Sequence, residues 1–308
     1  MIAITRMMTF KQLEALYWIV ELGGFAAAAR KLNTTQSAIS KRISELELTF
    51  TAQLFDRTQR SAQLTEAGHQ MAALATNLLE QRDIAVEKFA RLDVIRRRVR
   101  IGLTELTAMT WLPLLVRQIQ QKFPGVVIEP DVDLTEALRE KVLAGDLDLA
   151  IVPDAVEHSR LLSTQLSKVR FRWMCRPGLT TKSGTVSLRD LAEMTWLVQG
   201  ERSGTGLIYE RWFKAHKIDA VRVIRSDSLV AVIGMTVAGL GVSYLPERCV
   251  APLVAGNLLE VLKVRPGLPD VQYVVLRRTG GQSALIEAIT NLAVESCDFS
   301  QMFQDLLN

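Results

Sequence analysis

The segment GFAAAARKLNTTQSAISKRISELE, from Gly24 to Glu47, constrains the fold more than any other part of the chain. Its first half repeats apolar residues at i, i+3, i+4 and i+7, which is the pattern of one buried helix face. The residues on that face are Phe25, Ala28, Ala29 and Leu32. Asn33 and Thr34 interrupt the pattern, and Thr34 is the predicted N-cap of a second helix, because its hydroxyl accepts from otherwise unpaired N–H groups. The segment therefore predicts two short helices around a tight turn.

The second predicted helix has an apolar face and a polar face that carries almost no acid. Ile39, Ile43 and Leu46 recur at i, i+4 and i+7 and share one side. The opposite side presents hydroxyl, amide and cationic groups, which meet phosphates and base edges in a DNA major groove. The candidate DNA-binding residues on and beside this helix are Thr35, Gln36, Ser37, Ser40, Lys41 and Arg42. The geometry is that of a helix-turn-helix with a recognition helix; an ordinary pair of surface helices is the alternative.

Two short segments of extended character follow this helix. Residues 54–57 and 61–64 are separated by Thr58, Gln59 and Arg60, a gap of the size found in hairpins. Such a hairpin would place Arg57 and Arg60 beside the phosphates of a duplex. We therefore predict a wing, with Arg57 and Arg60 as further DNA-binding residues.

The run FKQLEALYWIVELGGFAAAARKLNTTQSAISKRISELE, followed by LFDR and then LTEAG, resembles the amino-terminal domain of LysR-type transcriptional regulators in residues and in spacing. The resemblance extends over the whole chain. The family pattern usually has Leu-Gly shortly before LFxR, where this chain has Phe50 and Thr51. A helix C-terminus often uses glycine for a left-handed residue, so this departure concerns the local turn.

The resemblance implies an α+β multidomain fold. It places a winged helix-turn-helix DNA-binding domain at residues 1–64, a long linker and dimerisation helix at 65–95, and an effector-binding domain at 96–308. The effector domain is expected to have two α/β subdomains like those of periplasmic binding proteins, with the effector in the cleft between them. Subdomain I would comprise about 96–166 and 270–308, and subdomain II about 167–269. Assemblies in this family are typically homotetramers acting at a promoter near their own divergent gene.

Length, composition and charge agree with this organisation. A chain of 308 residues is long for one core, and 48% hydrophobic with 23% charged residues is typical of a folded globular protein. The first hundred residues contain 15 lysines and arginines against 10 acids, and the remainder 22 against 23. The basic surface therefore belongs to the front of the chain, which is the sign expected of a nucleic-acid partner.

Helices are predicted on both sides of the helix-turn-helix. Thr9 and Gln12 form a capping box for the first helix, whose predicted core face is Phe10, Leu13, Tyr17 and Val20.

After the wing, Thr65 caps a helix that runs to about Leu92. Its apolar stripe has coiled-coil-like spacing and consists of Met71, Leu74, Leu78, Ala85, Phe89 and Leu92. A dimer explains such a stripe, because two helix-turn-helix units must be held about one helical turn apart on DNA. A helix packed on its own domain is the alternative.

Strand and helix patterns alternate beyond the arginine-rich stretch at residues 96–100. Strands are predicted at 99–103, 126–132 and 148–152, with helices at 111–122 and 135–144 between them, which indicates a parallel sheet built from βαβ units. A second set has strands at 171–175, 196–198, 221–224 and 242–245 and helices at 187–193, 207–215 and 229–238. A strand at 271–276 and a helix from 283 to about 294 close the chain.

Polar residues occupy the strand-to-helix junctions of this half. Ligands of open α/β sheets bind beyond the carboxyl ends of the strands, where helix amino termini present unpaired N–H groups. The candidate effector-binding residues are Thr104, Glu105, Thr107, Thr135, Arg202, Ser203, Thr205, Asp227 and Ser228. Helix capping alone also explains hydroxyl and carboxylate side chains at such places.

The resemblance implies a small polar metabolite as effector, often a carboxylate. Glu105 opposes that expectation: an ionised Glu105 facing the cleft would repel an anion and favour a ligand with an amine or several hydroxyls. The sequence leaves the orientation of Glu105 open.

The sequence offers no catalytic machinery. The loop from Gly200 to Gly206 lacks the Gly-Lys-Ser/Thr of a P-loop, and Tyr209 stands where a dinucleotide fingerprint needs glycine. The three histidines are scattered without metal-ligand spacing, so no cofactor or metal is expected. The three cysteines are also far apart and are predicted to be reduced thiols of a cytoplasmic protein, and no membrane segment is expected.

These patterns together predict a regulator that binds DNA and responds to a ligand. The effector would shift the population of lobe arrangements and thereby the geometry of a homo-oligomer on promoter DNA. The rival hypothesis is a cytosolic solute-binding protein that acts through protein partners. A small-molecule transferase on the same scaffold is a third, and it would require turnover.

Overall fold

The computed structural model describes residues 7–56, 63–87, 96–155, 158–180, 184–279 and 283–302. The chain divides into two compact units, Met1–Phe89 and Ala90–Asn308. Within the described ranges no helix is both long and apolar enough to cross a membrane.

The first unit is helical and has its own core. Its helices are α1 (Phe10–Glu21), α2 (Phe25–Lys31), α3 (Gln36–Phe50) and α4 (Glu66–Glu87). The two small residues predicted for the inner face of α2, Ala28 and Ala29, are 0% and 4% exposed, and Ile39, Ile43 and Leu46 of α3 are 0%, 3% and 0% exposed. Alanine at the contact lets α2 pack closely on α3, as the helix-turn-helix pattern predicts.

The predicted capping box of α1 is confirmed. Its predicted core face is confirmed at Leu13 and at the half-buried Tyr17, and is wrong at Phe10 and Val20. Thr9 N donates to Gln12 Oε1 at 2.9 Å, and Gln12 N donates to Thr9 Oγ1 at 3.4 Å. Phe10 and Val20 are 47% and 41% exposed, whereas Leu13, with Ala15, Leu16 and Ile19, is buried. The buried stripe is rotated around the helix because the small side chain of Ala15 allows close packing there.

The N-cap of α3 is Thr35 rather than the predicted Thr34. Thr35 has extended backbone geometry, and its hydroxyl accepts from Ala38 N at 3.2 Å. Thr34 N instead donates to Ala29 O at 2.9 Å and so closes the end of α2. The turn is therefore one residue longer than predicted, because each helix end takes one of the two adjacent threonines.

The turn after α3 departs from usual backbone preferences. Thr51 adopts the left-handed conformation at φ 53° and ψ 36°, which is costly for a β-branched residue. Glu47 is only 8% exposed, and its Oε1 accepts from Leu54 N at 2.8 Å. That hydrogen bond joins α3 to the segment after the turn.

The base of the wing is formed as predicted. Phe55 and Leu64 make an antiparallel bridge, and Thr65 N donates to Leu54 O at 3.0 Å. In α4, Gly68 lies against the same Leu54 carbonyl, and a Cβ there would be 2.1 Å from its oxygen. Only glycine allows this approach of the two backbones. The hairpin tip lies outside the described residues.

Helix α4 packs on α1, with Ala75 at 0% and Leu79 at 8% exposure. Arg82 pairs with Glu14 of α1 at 2.5 Å. Leu74, on the predicted oligomer stripe, is 45% exposed. Part of the apolar surface of α4 therefore serves its own unit. The predicted continuation through Phe89 and Leu92 lies outside the described residues.

The second unit contains two lobes. Lobe I comprises β1 (Arg98–Leu103), α5 (Glu105–Met109), α6 (Leu112–Lys122), β2 (Val127–Val132), α7 (Thr135–Ala144), β3 (Leu149–Pro153), β4 (Leu161–Val169), β12 (Val271–Arg278) and α12 (Ala284–Ser296). Its sheet has the strand order β2-β1-β3-β12-β4. Strands β1, β2 and β3 are parallel, but β12 runs antiparallel to β3 and to β4. The parallel pairing predicted for the three βαβ strands is thus confirmed, and β12 and β4 extend their sheet in the antiparallel direction.

Lobe II lies between β4 and β12 in the chain. It comprises β5 (Phe171–Cys175), β6 (Thr185–Ser187), α8 (Leu188–Ala192), β7 (Thr195–Val198), α9 (Gly204–Ala215), β8 (Arg222–Arg225), α10 (Leu229–Val237), β9 (Ser243–Pro246), α11 (Ala251–Ala255), β10 (Glu260–Val261) and β11 (Lys263–Arg265). Strand β5 pairs with β9 and β10, and β7 with β8. Arg170 and Asp270, beside the two crossings between lobes, approach to 3.6 Å. The α+β multidomain fold class is confirmed.

Candidate functional site

The polar face of α3 is open to solvent. Thr35, Gln36, Ser37 and Lys41 are exposed, and Ser40 and Arg42 are half-buried. Gln36, Ser37, Ser40 and Lys41 recur at i, i+1, i+4 and i+5, so their side chains share one face of α3, and Arg42 lies beside it. This surface presents hydroxyl, amide and cationic groups with no carboxylate among them.

The acids of α3 are turned away from that surface. Glu47 is buried and binds Leu54 N, as described above. Glu45 Oε2 accepts from Gln12 Nε2 of α1 at 3.3 Å. Both carboxylates are used in internal hydrogen bonds, so the beginning of α3 has a local charge suited to an anionic partner. Arg57 and Arg60, predicted at the wing, lie outside the described residues.

A cleft of about 370 Å³ opens between lobe I and lobe II. Eight predicted effector residues line it: Thr104, Glu105, Thr135, Arg202, Ser203, Thr205, Asp227 and Ser228. They come from four strand-to-helix junctions, two in each lobe. The structure therefore brings together residues that are more than 120 positions apart in sequence.

Thr107 does not line the cleft. It is 0% exposed, and its hydroxyl has no hydrogen-bond partner among the described residues. It lies on the inner side of the short helix α5, one turn from the junction that faces the cleft. The junction rule selects this segment, but the side chain of Thr107 is buried and does not reach the cleft.

Glu105 bridges the two lobes. Its Oε1 accepts from Ser228 Oγ at 3.0 Å, and its Oε2 accepts from Leu229 N at the first turn of α10. The orientation left open by the sequence is thus defined: the carboxylate of lobe I lies at the amino terminus of a lobe II helix. A negative charge is stabilised there by the unpaired N–H groups and the helix dipole.

Two further hydrogen bonds cross the cleft. Gly204 N, in the first turn of α9, donates to Thr135 Oγ1 at 3.0 Å. Glu136 N, in the first turn of α7, donates to Arg202 O at 3.3 Å. Three helix amino termini that face the opposite lobe are therefore bound by groups of the protein itself.

The charged residues of the cleft are mostly acidic. Arg202 pairs with Asp227 at 2.5 Å, within lobe II. Asp133 binds Lys141 at 2.9 Å, and that hydrogen bond, aided by Leu134 N–H, holds the pKa of Asp133 below its usual value. Among the described residues that line the cleft, Glu105, Asp133 and Asp227 face one cation, Arg202.

Aromatic and apolar residues complete the cleft wall. Phe171 and Tyr273 line it where the chain passes between the lobes. Burial raises the pKa of Tyr273 to about 12, although the neighbouring hydroxyls of Thr104 and Thr205 lower it. The phenol is therefore neutral at physiological pH.

Sequence reasoning missed several of these lining residues. Asp133 follows the end of β2, and the same junction rule that selected Thr135 would have identified it. Phe171 and Tyr273 lie at the start of their strands, and nothing in their local sequence distinguishes them from ordinary core aromatics. Only the crossing of the two chain segments places them in the cleft.

The cysteines are not reactive thiols. Burial raises the pKa of both Cys175 and Cys249 to about 12, helped at Cys175 by Glu260, and raises that of Cys297. Such thiols are protonated near neutral pH and react slowly. Among the described residues no group of three or more His, Cys, Asp or Glu side chains is arranged to hold a metal ion.

Comparison with known proteins agrees with this architecture. Residues 10–69 match the family model for the bacterial regulatory helix-turn-helix protein of the lysR family, and residues 93–298 match that of the LysR substrate binding domain. The HTH-type transcriptional regulator CzcR of Bacillus anthracis is 23% identical over 271 residues, which cover 88% of this chain and 91% of that regulator.

Two solved structures illustrate the similarity of fold. A full-length OxyR variant from Pseudomonas aeruginosa superposes with a TM-score of 0.70 at 20% identity, covering 97% of this chain and 99% of that one. Full-length CbnR in complex with its target DNA superposes with a TM-score of 0.59 at 21% identity, covering 94% and 100% of the two chains.

Proposed function

The chain belongs to the LysR family of transcriptional regulators, and from that premise we propose that it binds promoter DNA through the exposed face of α3 and senses a small polar effector in the cleft between lobes I and II. As a member of that family it is a DNA-binding regulator with an effector-binding domain, and not an enzyme. The observation that carries the proposal is the cleft itself, a cavity of about 370 Å³ lined from both lobes at the junctions where α/β proteins bind ligands.

The proposed DNA contacts are divided between base edges and phosphates. Gln36, Ser37 and Ser40 are the residues proposed to reach base edges, because amide and hydroxyl groups match the donors and acceptors of the major groove. Thr35, Lys41 and Arg42 are assigned to phosphates or nearby edges, and Arg57 and Arg60 to the backbone at the wing. Each phosphate contact contributes affinity that falls with salt.

The proposed domain boundaries are residues 1–64 for DNA binding, 65–95 for the linker helix and 96–308 for effector binding, with subdomain I at about 96–166 and 270–308 and subdomain II at about 167–269. We propose a homo-oligomer, a dimer or a dimer of dimers, in the cytoplasm. The exposed Leu74 and Val86 of α4, at 45% and 58%, support a contact between copies. Two half-sites on one duplex also require two copies held at a fixed spacing.

The proposed mechanism is a shift between lobe arrangements. The effector-binding set is Thr104, Glu105, Thr135, Arg202, Ser203, Thr205, Asp227 and Ser228. Because these residues come from both lobes and four hydrogen bonds already cross the cleft, a ligand that replaces those bonds favours a different lobe arrangement. The effect on DNA affinity cannot exceed the difference in the effector's binding free energy between the two arrangements.

A mobility-shift experiment tests the DNA-binding part. Full-length protein is titrated into duplex DNA from the intergenic region beside its own gene, at several salt concentrations. We expect saturable retention that weakens with salt, and a loss of at least about a hundredfold in affinity for Ser37→Glu, because a carboxylate then faces the phosphates. Asn77→Asp, which adds one negative charge on the exposed side of α4, is the matched control and should retain binding.

The outcome separates the regulator from the rival solute-binding protein that acts through protein partners. Retention that is insensitive to both salt and Ser37→Glu would contradict a role for α3 in DNA binding. A wild-type protein that binds no intergenic DNA while its cleft still binds small molecules would favour the rival.

A further inference from the structure

We propose that the cleft takes a ligand with a protonated amine, because the protein's own Glu105 already occupies the anion-binding position at the amino terminus of α10. This inference rests on the proposed effector role of the same cleft. It identifies the chemical class of the ligand from the charges and hydrogen bonds that surround the cavity.

Glu105 and Ser228 occupy the amino terminus of α10. One carboxylate oxygen accepts from Ser228 Oγ at 3.0 Å and the other from Leu229 N, while Ser228 Oγ in turn accepts from Ala231 N at 3.2 Å. A ligand carboxylate would need these same donors. It could bind there only by displacing Glu105. The Glu105 carboxylate would then lose its two charge-assisted hydrogen bonds.

A backbone N–H at the start of α9, another at the start of α7, and the guanidinium of Arg202 are also bound by protein acceptors. Gly204 N donates to Thr135 Oγ1, and Glu136 N donates to Arg202 O. The guanidinium of Arg202 is held by Asp227. Arg202, the one cation among the described lining residues, is therefore already bound to a protein acceptor, and so are N–H groups at the starts of α7, α9 and α10.

The charge balance favours a cation. Among the described residues that line the cavity, three are acidic, Glu105, Asp133 and Asp227, and one is basic, Arg202. Lys141 lies behind Asp133 and also pairs with Asp131 at 2.8 Å. Adding Lys141 and Asp131 to the count leaves the same excess of two negative charges. A cationic ligand lowers the electrostatic free energy of this cavity, whereas an anion raises it.

The uncharged part of the wall suits the same ligand. Phe171 and Tyr273 present aromatic rings, which attract a positive charge near their faces. The hydroxyl of Thr104 lies in the same wall and can accept from an ammonium N–H. The aromatic rings and the hydroxyl and carboxylate oxygens of this wall suit an ammonium group, which brings three donors of its own.

The test compares ligands of equal carbon number and opposite charge. The melting temperature of the full-length protein is measured at constant ionic strength with 1,4-diaminobutane, with butanedioate and with the mixed 4-aminobutanoate. A ligand that binds only the folded protein raises the melting temperature with dose. We expect 1,4-diaminobutane to bind wild-type protein at least about tenfold more tightly than butanedioate, a difference of about 1.4 kcal/mol.

Variants connect that preference to Glu105. In Glu105→Gln the amine-to-carboxylate preference should fall by about tenfold or reverse, because one negative charge is removed and α10 regains a place for an anion. Asp227→Asn leaves the Glu105 contacts intact and should also weaken the diamine. The matched control Glu140→Gln, on the exposed side of α7, should leave the preference unchanged.

The outcomes are distinguishable. Butanedioate binding wild-type protein as tightly as the diamine, no response to either ligand up to about 100 mM, or an unchanged preference in Glu105→Gln would each overturn the amine inference. The same ligands are then added to the mobility-shift assay. A ligand of either charge that raises the melting temperature but leaves DNA retention unaltered contradicts the proposed effector role instead.

Discussion

The exposed face of α3 and the cleft between the lobes are built in opposite ways. The α3 surface comes from one stretch of eight residues, Thr35 to Arg42, and its neighbouring acids are bound inside the same unit. The cleft is assembled from four junctions, and its defining contact joins Glu105 to Ser228, 123 positions apart. A surface on one helix follows from helical periodicity, whereas a cleft depends on which junctions the topology brings face to face.

The two regions also differ in whether their hydrogen-bonding groups are free to bind a partner. On α3 the hydroxyl and amide groups are open to solvent, so an external partner can form hydrogen bonds with them directly. In the cleft, Glu105, Thr135 and Arg202 already bind the opposite lobe. A ligand there competes with the protein itself, and this competition lets binding change the arrangement of the lobes.

The largest expected effect comes from a substitution at Gly68, which tests whether the helix-turn-helix unit depends on the close contact between Gly68 and the Leu54 carbonyl. Gly68→Ala places a Cβ 2.1 Å from Leu54 O and should destabilise the unit by about 3 kcal/mol, although alanine favours a helix. Urea denaturation, with hydrogen exchange followed in residues 7–56, measures the loss. Asn77→Ala, at an exposed position of α4, should instead stabilise by about 0.5 kcal/mol. A Gly68→Ala protein as stable as wild type would show that the contact relaxes freely.

An intermediate effect tests the exclusion of Thr107 from the cleft. Thr107→Val removes a buried hydroxyl that has no partner among the described residues and should raise the free energy of unfolding by about 1 kcal/mol without altering ligand response. Thr110→Val is the matched control. Its hydroxyl donates to Leu106 O at 2.6 Å, so that variant should lose about 1 kcal/mol.

Calorimetry of the two variants reports the sign directly. A Thr107→Val protein that is less stable, or that loses its response to effector, would return Thr107 to the binding set.

The smallest expected effect concerns the turn that departs from the family pattern. Thr51→Gly relieves a left-handed β-branched residue and should stabilise the first unit by about 0.5–1 kcal/mol after the entropic cost of glycine. Chemical denaturation of the variant measures this gain. Ala52→Gly, at the next position and without positive φ, should destabilise instead. Equal effects at both positions would mean that the conformation of Thr51 is not strained.

Local patterns predicted the fold well where neighbours in sequence are also neighbours in space. The helix-turn-helix faces, the capping box of Thr9 and Gln12, and α7 with its left-handed Gly145 follow from such patterns. Errors arose where packing decides between adjacent choices. Thr35 rather than Thr34 caps α3. In α1 the predicted Leu13 is buried together with Leu16 and Ile19, whereas the predicted Phe10 and Val20 are exposed.

Longer-range features left weaker signals in the sequence. Strand β4 was missed because most of its residues are exposed and polar, so it lacks the alternation of a half-buried strand. The antiparallel placement of β12 beside β3 has no local signature. The contact of Glu105 with Ser228 and Leu229 depends on both lobes, and no spacing rule identifies it.

The placement of β12 between β3 and β4 has a consequence for biosynthesis. A ribosome delivers β3 and β4 roughly one hundred residues before the strand that must sit between them. During that interval the residues of lobe II are synthesised, and the edge of β3 that will pair with β12 has no neighbouring strand. Removing the last forty or so residues would therefore remove β12 and α12, which belong to the core of lobe I. It would extract the strand that joins both halves of a sheet, and we expect such a truncated polypeptide to aggregate or be degraded.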